Sequence, residues 1–314
     1  MSSLHSLLHE IIDYAGLYPP AGLPLPEVVS NYAGYRQHPA AWMLARLIIP
    51  VNRLSEFAET ARTSWSLSDP ERLPWRISCL VPAPEDNLQA FEQAWQQIKQ
   101  FNQAHSKQAL IDAVETKCDS VPLLQKAATI CQGAIATYWE LPHTRSCTDL
   151  LSTLAALGPA HRAKIRTGGV QAQLIATVQD VARFLNECAA AKVAFKATAG
   201  LHHPLRAEYR LTYEANSPCA TMHGFLNVFS AAVAAWSQQA SVEQIAELLT
   251  SSNPAAFQIG ESGLSIGKWH CSQEQIQTTR EQFAIGFGSC SFSEPVEDLR
   301  ELGWLDLETA GKHP

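Results

Sequence analysis

The sequence predicts an α/β protein folded as a single (β/α)8 barrel of the TIM type, with an N-terminal helical extension capping one end. Three observations carry that expectation. Eight short apolar runs of strand character recur along the chain, amphipathic helical stretches separate them, and no linker, repeat or charged tail divides the chain. Alternating strands and helices build a parallel sheet, and eight such units are the number that closes a barrel. The 314 residues exceed the roughly 250 such a barrel uses, and an apolar fraction of 46% suits a large core rather than disorder.

Residues 1–45, with the proline- and glycine-rich string DYAGLYPPAGLPLPEVVSNY, fall outside this rhythm and are assigned to the extension. The barrel is expected over 46–305 and a tail over 306–314. The strand-like runs are 46–51, 75–81, 109–115, 134–140, 162–166, 193–199, 257–267 and 283–288, short and rich in β-branched or aromatic residues. Between them, residues 85–101 place Leu88, Phe91, Trp95 and Ile98 on one helical face, and 177–191 do the same with Val178, Val181, Phe184 and Leu185. Ser241 with Gln244, Ser272 with Gln275 and Ser291 with Glu294 have capping-box spacing. The connection 204–221 is long, with 208–214 expected as a small hairpin, and long loops on the catalytic face of a barrel are often lids.

Composition narrows the function. A net charge of −7 argues against a generic nucleic-acid binder. The first sixteen residues carry no Lys or Arg, unlike a secretory signal. The uncharged stretch 223–242 contains Asn227, Ser230, Ser237, Gln238 and Gln239, so a buried helix is expected there and no membrane span. Eight cysteines without a Cys-x-x-Cys pair read as free thiols, which points to the cytoplasm. A homo-oligomer stays open, and no cofactor or metal is expected. Gly286-Phe-Gly288 lacks the third glycine of a dinucleotide fingerprint, Trp269 stands where a P-loop needs Ser or Thr, and Gly260-Glu-Ser262-Gly263 is one spacer short of a nucleophile elbow.

The strings DYAGLYPPAGLPL, AKIRTGG, FKATAGLHHPLR, MHGFLNVF and FGSCSFSEPVEDLRELGWL, spanning about Asp13 to Leu305, resemble an uncharacterised family of bacterial proteins. That resemblance brings no activity with it. The strings Phe195-Lys196-Ala197-Thr198-Ala199-Gly200 and Lys164-Ile-Arg-Thr-Gly-Gly169 are also faintly similar to the lysine strings of deoxyribose-phosphate-type aldolases, which implies lyase chemistry at a strand-end lysine.

In a barrel the carboxyl ends of the strands and the loops after them build the site. That rule selects Glu115, Glu140, Lys164, Arg166, Lys196, Thr198, His202, His203, Ser289 and Ser291. Alternation points Lys164 and Arg166 one way, and Lys196 and Thr198 one way. The expected reading is a barrel enzyme acting on a small anionic carbonyl compound, phosphorylated or carboxylated. Lys196 or Lys164 supplies the nucleophilic or proton-abstracting amine, Glu140 with His202 and His203 moves protons, and Arg166, Gly168, Gly169, Thr198, His223, Ser289 and Ser291 hold the anion. A Lys196 buried among other cations would have a lowered pKa and be neutral, whereas a nearby carboxylate would hold it charged. Lys196→Met is expected to leave the fold intact. Cys290 reads as a buried thiol, and Asp13 and Tyr14 as packing or substrate-facing residues. Two alternatives remain: a metal-dependent hydrolase or isomerase using His202, His203 and His223, and a non-catalytic binding barrel.

Overall fold

The computed structural model of the chain describes residues 2–66, 73–85, 87–131, 133 and 135–306. Eight parallel strands close into a barrel: β1 (Ile12–Tyr14), β2 (Leu44–Pro50), β3 (Trp75–Leu80), β4 (Ala109–Lys117), β5 (Ala136–Glu140), β6 (His161–Arg166), β7 (Phe195–Thr198) and β8 (Ala284–Ser289). They stand round the ring in chain order, and β1 completes it by pairing with both β2 and β8. Seven of these strands fall on runs expected from the sequence.

The eighth does not, and two errors cancel in the count. Residues 1–45 are not merely a cap, since they supply β1. The strand is three residues long with Asp13 at its centre, so it carries too little apolar periodicity to stand out. Conversely, the run 257–267 is not a barrel strand. It forms Phe257–Ile259 and Gly263–Ile266, which with Trp269–Ser272 make a separate antiparallel sheet. Gly260 and Gly263 break that run, and the turn between them folds it back on itself. Residues 307–314 of the expected tail lie outside the described residues.

Helices cover the strands, beginning with α1 (Ser3–Leu8), α2 (Leu25–Tyr35) and α3 (Leu54–Ser66) and continuing with α4 (Leu88–His105), α5 (Val121–Ala128) and α6 (Thr148–Leu157). Asn87 caps α4 by accepting from the Ala90 N–H at 3.1 Å, and Thr177 caps α7 (Val178–Ala191) by accepting from Asp180. Capping boxes open both α9 (Val242–Thr250) and α10 (Gln273–Gln282). The helix α7 buries Val181, Phe184, Leu185 and Cys188, and Phe184 meets Phe195 of β7 edge-on at 6.0 Å. Truncating such a ring to Ala costs about 3–5 kcal/mol, so Phe184→Ala is the change that would loosen this helix from the barrel. Helix α8 (Phe225–Gln238) is buried on nearly every face, and no helix among the described residues is long and apolar enough to cross a membrane. The long connection does contain a hairpin, Ala207–Arg210 with Cys219–Met222, set further apart than the sequence suggested.

One irregularity positions the interior. Between Ile77 and Ser78 of β3 the register with β4 jumps from Ile111 to Ala113, leaving Asp112 as an extra residue. Three positions apart on a regular strand, Asp112 and Glu115 would point to opposite faces. The bulge re-aims the strand so that both reach inward partners.

Candidate functional site

Barrel interiors are usually filled with branched aliphatic residues. This one holds a row of alternating charges. Lys196 on β7 ion-pairs with Asp13 on β1 and with Glu115 on β4. The other oxygen of Glu115 lies 2.9 Å from Lys164 Nζ on β6, and Lys164 lies 3.0 Å from Glu140 on β5. Glu140 then meets Arg166 at 3.2 Å and Lys117 at 3.6 Å. The chain thus runs Asp13, Lys196, Glu115, Lys164, Glu140, Arg166, from the middle of the barrel to its carboxyl mouth. Relative exposure is 1% for Lys196, 1% for Glu115 and 4% for Lys164, while the Lys117 side chain is 65% exposed.

Strand register explains the row. Glu140, Lys164 and Lys196 are lateral neighbours on β5, β6 and β7, so period-two alternation turns all three to the same face. Glu115 is fixed further by the Ser78 hydroxyl, which donates at 2.6 Å, and Asp13 by the Arg46 N–H at 2.9 Å. At Lys196, Glu115 and Glu140 burial favours the neutral form, but the pairing outweighs it. Burial would lower the Lys196 pKa, yet Asp13 and Glu115 hold it above the usual lysine value. Burial would raise Glu115, yet Lys164 and Lys196 pull it well below the carboxylate range. Glu140 is lowered likewise by Lys164 and Arg166. Of the two states that the sequence left open for Lys196, the charged one fits, because its neighbours are carboxylates rather than cations.

Above this row opens a cavity of about 260 Å³ lined by Glu115, Lys164, Arg166, Thr198, His202 and Cys290, among others. Its apolar wall comes from Ile48, Leu80, Val170 and Leu174. Gly288 keeps it open, since a Cβ there would lie 3.2 Å from Ile48 and 3.4 Å from the Thr198 hydroxyl. Ala199 also lines it in the left-handed region at φ 60°, held by the Thr167 hydroxyl donating to its carbonyl at 2.6 Å. Tyr18, from the loop after β1, reaches into the same space, and its buried hydroxyl has no hydrogen-bond partner among the described residues. Burial and the Glu115 carboxylate raise its pKa.

At the rim stands a second polar group. His202 Nδ1 lies 3.2 Å from Glu294 and 3.8 Å from Cys290 Sγ, and the Tyr213 hydroxyl donates to Glu294 at 2.8 Å. Burial works against charge on His202, but Cys290 and Glu294 raise its pKa to about 9. Cys290 is buried, as expected, yet it borders the cavity, for which the sequence held no signal.

Several expected site residues turn out to do other work. His203 pairs with Asp298 at 2.6 Å and stacks on Tyr209 at 3.6 Å, so it faces the hairpin rather than the cavity. His223 is buried against the Ala176 carbonyl at 2.8 Å, and burial lowers its pKa. The three histidines therefore do not form one ligand set, and no cluster suited to a metal occurs among the described residues. Ser291 lies two residues before α11 (Ser293–Glu301) and accepts from the Glu294 N–H in its first turn at 3.1 Å, and Ser289 accepts from the Ser291 N–H at 3.3 Å. Gly168 is needed because its Cα packs on Gly200, where a Cβ would come within 2.9 Å. Gly169 borders the cavity, but a Cβ there would strike Leu174 at 2.8 Å. Tyr14 packs edge-on against Tyr35 at 5.2 Å, facing away from the site that its neighbour Asp13 joins.

No family model and no curated protein matches this chain. Among solved structures it is similar to the malate synthase of Haloferax volcanii in its pyruvate/acetyl-CoA ternary complex, at 10% identity and a TM-score of 0.37, over 94% of this chain and 74% of that one. So distant a likeness transfers no residue role.

Proposed function

We propose that the chain is a lyase of aldolase type that binds a small anionic carbonyl compound at the carboxyl mouth of the barrel, with Lys164 as its reactive amine. The observation that supports this reading is the position of Lys164 Nζ, at the wall of the cavity and within 3.0 Å of both Glu115 and Glu140. An amine attacks a carbonyl only after giving up a proton; substrate filling the cavity would exclude water, and a dry site favours passing that proton to Glu140, because the ion pair then becomes a neutral pair. Addition of Nζ to the carbonyl carbon and loss of water would leave an iminium that draws electrons from the adjacent carbon–carbon or carbon–hydrogen bond. Glu140 is the better placed to take and return protons, because Glu115 is tied to Lys196 and Ser78. Arg166 and His202 at the rim suit the substrate's carboxylate or phosphate, and the enclosing apolar wall strengthens both attractions. Lys196 is a positioning residue here, holding Glu115 and Asp13 in place.

Borohydride trapping tests the reading. Incubation with a panel of aldehydes and ketones bearing carboxylate or phosphate, followed by reduction and peptide mass spectrometry, is expected to find an adduct on Lys164. Lys164→Met should abolish it. Failure to trap any member of the panel, or an adduct that persists in Lys164→Met, would overturn the assignment.

A further inference from the structure

The opposite end of the barrel carries a larger cavity, about 550 Å³, that the lyase reading does not use. Four arginines line it: Arg46, Arg76 and Arg162 from β2, β3 and β6, and Arg280 from α10. Asp112 accepts from Arg46 at 2.6 and 2.9 Å and from Arg76 at 2.9 Å, and Glu10 takes Arg76 at 2.5 Å. Those two carboxylates balance two guanidinium groups. The other two are bonded only to neutral groups among the described residues. Arg162 donates to the Tyr138 hydroxyl at 2.9 Å and the Pro159 carbonyl at 3.2 Å, and its guanidinium lies 5.6 Å from the Tyr138 ring. Arg280 donates to the carbonyls of His9, at 2.8 Å, and Ala284. Its Nε is enclosed without a partner. Glu281 also lines the cavity, on its exposed rim, where it accepts from the Gln277 amide at 2.9 Å, so the four guanidinium groups face three carboxylates and positive charge remains in excess.

We propose that this N-terminal mouth binds a phosphate group, free or as a small monoester. Guanidinium groups converging on one concave space offer the forked donors that phosphate oxygens accept. Uncompensated charge in a half-buried site is costly, and an anion would offset the excess positive charge of the cluster. Burial already depresses Arg280 to about 10, the direction a group takes when its charge lacks an opposite partner. The size fits, since small-ligand pockets start at roughly 300 Å³. The site is separate from the lyase centre and does not rest on that reading.

Inorganic phosphate, titrated at constant ionic strength against chloride and followed by calorimetry and by thermal unfolding, tests the proposal. A saturable heat with one site per chain and a matching rise in Tm are expected. Arg162→Gln should weaken binding at least tenfold, and so should Gln277→Glu, which adds a carboxylate at an exposed position on the cavity rim and keeps the test valid if the first variant folds poorly. Lys268→Gln, an exposed charge that lines neither cavity, should leave phosphate binding unchanged. The proposal falls if the intact chain shows no saturable response, if both rim variants bind as the parent does, or if Arg166→Gln alone abolishes binding, which would place the phosphate at the lyase centre instead.

Discussion

The two mouths of the barrel are built from the same materials and arranged to opposite ends. At the carboxyl mouth, acids and bases alternate, and each buried charge from Asp13 to Arg166 touches at least one of opposite sign. At the amino mouth, Asp112 and Glu10 pair with two of four arginines, and Glu281 on the rim leaves the cluster still positive. A balanced row holds its members ionised without a ligand and leaves reactive groups poised. An unbalanced cluster leaves its excess charge for something that arrives. The difference teaches that burial alone says little about what a charged residue does, and that the sign of its neighbours says most.

The largest effect expected from breaking this contrast follows removal of Glu115. Glu115→Gln strips two buried ammonium groups of their shared carboxylate, and such a loss costs about 3–5 kcal/mol. Lys196→Met leaves Asp13 and Glu115 facing one another with one cation fewer, so it too should destabilise by about 3–5 kcal/mol, against the sequence-based expectation of an intact fold. Asp112→Asn at the other mouth should cost less, about 1–2 kcal/mol, because its side chain is 24% exposed and water screens the arginines it leaves. Urea unfolding of the three variants measures all of this. Equal losses at both ends would mean that the balance of the carboxyl row contributes nothing special.

How much of this contrast was legible beforehand depends on sequence distance. That Lys164 and Arg166 share a face, and Lys196 and Thr198 likewise, follows from alternation within single strands and is readable, whereas which face is inward is set only by closure of the barrel. Their partners are not. Lys196 meets Asp13 across 183 residues and Glu115 across 81, and only closure of the ring brings these together. The missing of β1 hid Asp13 twice over, because a three-residue strand leaves no periodic trace. The bulge at Asp112 erased the parity rule for β4. Errors also arose where a local role competed with a functional one. Ser291 has the right type and place for an anion site, yet its hydroxyl serves the start of α11. The two histidines His202 and His203 read as a pair, but adjacent residues diverge, one to the rim and one to Tyr209.

A mid-sized effect should appear with pH at the rim. His202 has a folded pKa of about 9 against about 6.5 unfolded. A raised pKa means the folded state holds the proton more tightly, so the contribution is complete below about 6.5 and is lost as pH climbs to 9. The linkage amounts to on the order of 2–3 kcal/mol. Glu115 and Glu140 act in the other direction: their lowered values stabilise above the ordinary carboxylate range and are lost as pH falls below about 4.3. Urea midpoints should therefore decline from pH 6.5 to 9, and His202→Asn should flatten that limb while leaving the acid limb in place. A flat limb in the parent chain would show that His202 is not held charged, and would remove it as an anion partner.

The smallest effect on stability should carry the most information about chemistry. Tyr18 presents a buried hydroxyl with no partner among the described residues, beside Glu115 and facing the cavity. A buried polar group left unsatisfied costs about 1–3 kcal/mol, so deleting that oxygen relieves a penalty instead of breaking a bond. Tyr18→Phe keeps the ring and its packing, and it should be neutral or stabilising by up to about 1 kcal/mol in urea. If the hydroxyl waits for a substrate oxygen, the same change should slow borohydride-trappable adduct formation on Lys164 by about 100-fold or more, the lower end of what a single proton-transferring group contributes. The two readouts oppose each other, which a merely structural tyrosine could not produce. Loss of stability with unchanged adduct formation would make Tyr18 part of the wall, and the balanced row beneath it would then have to work without a donor from above.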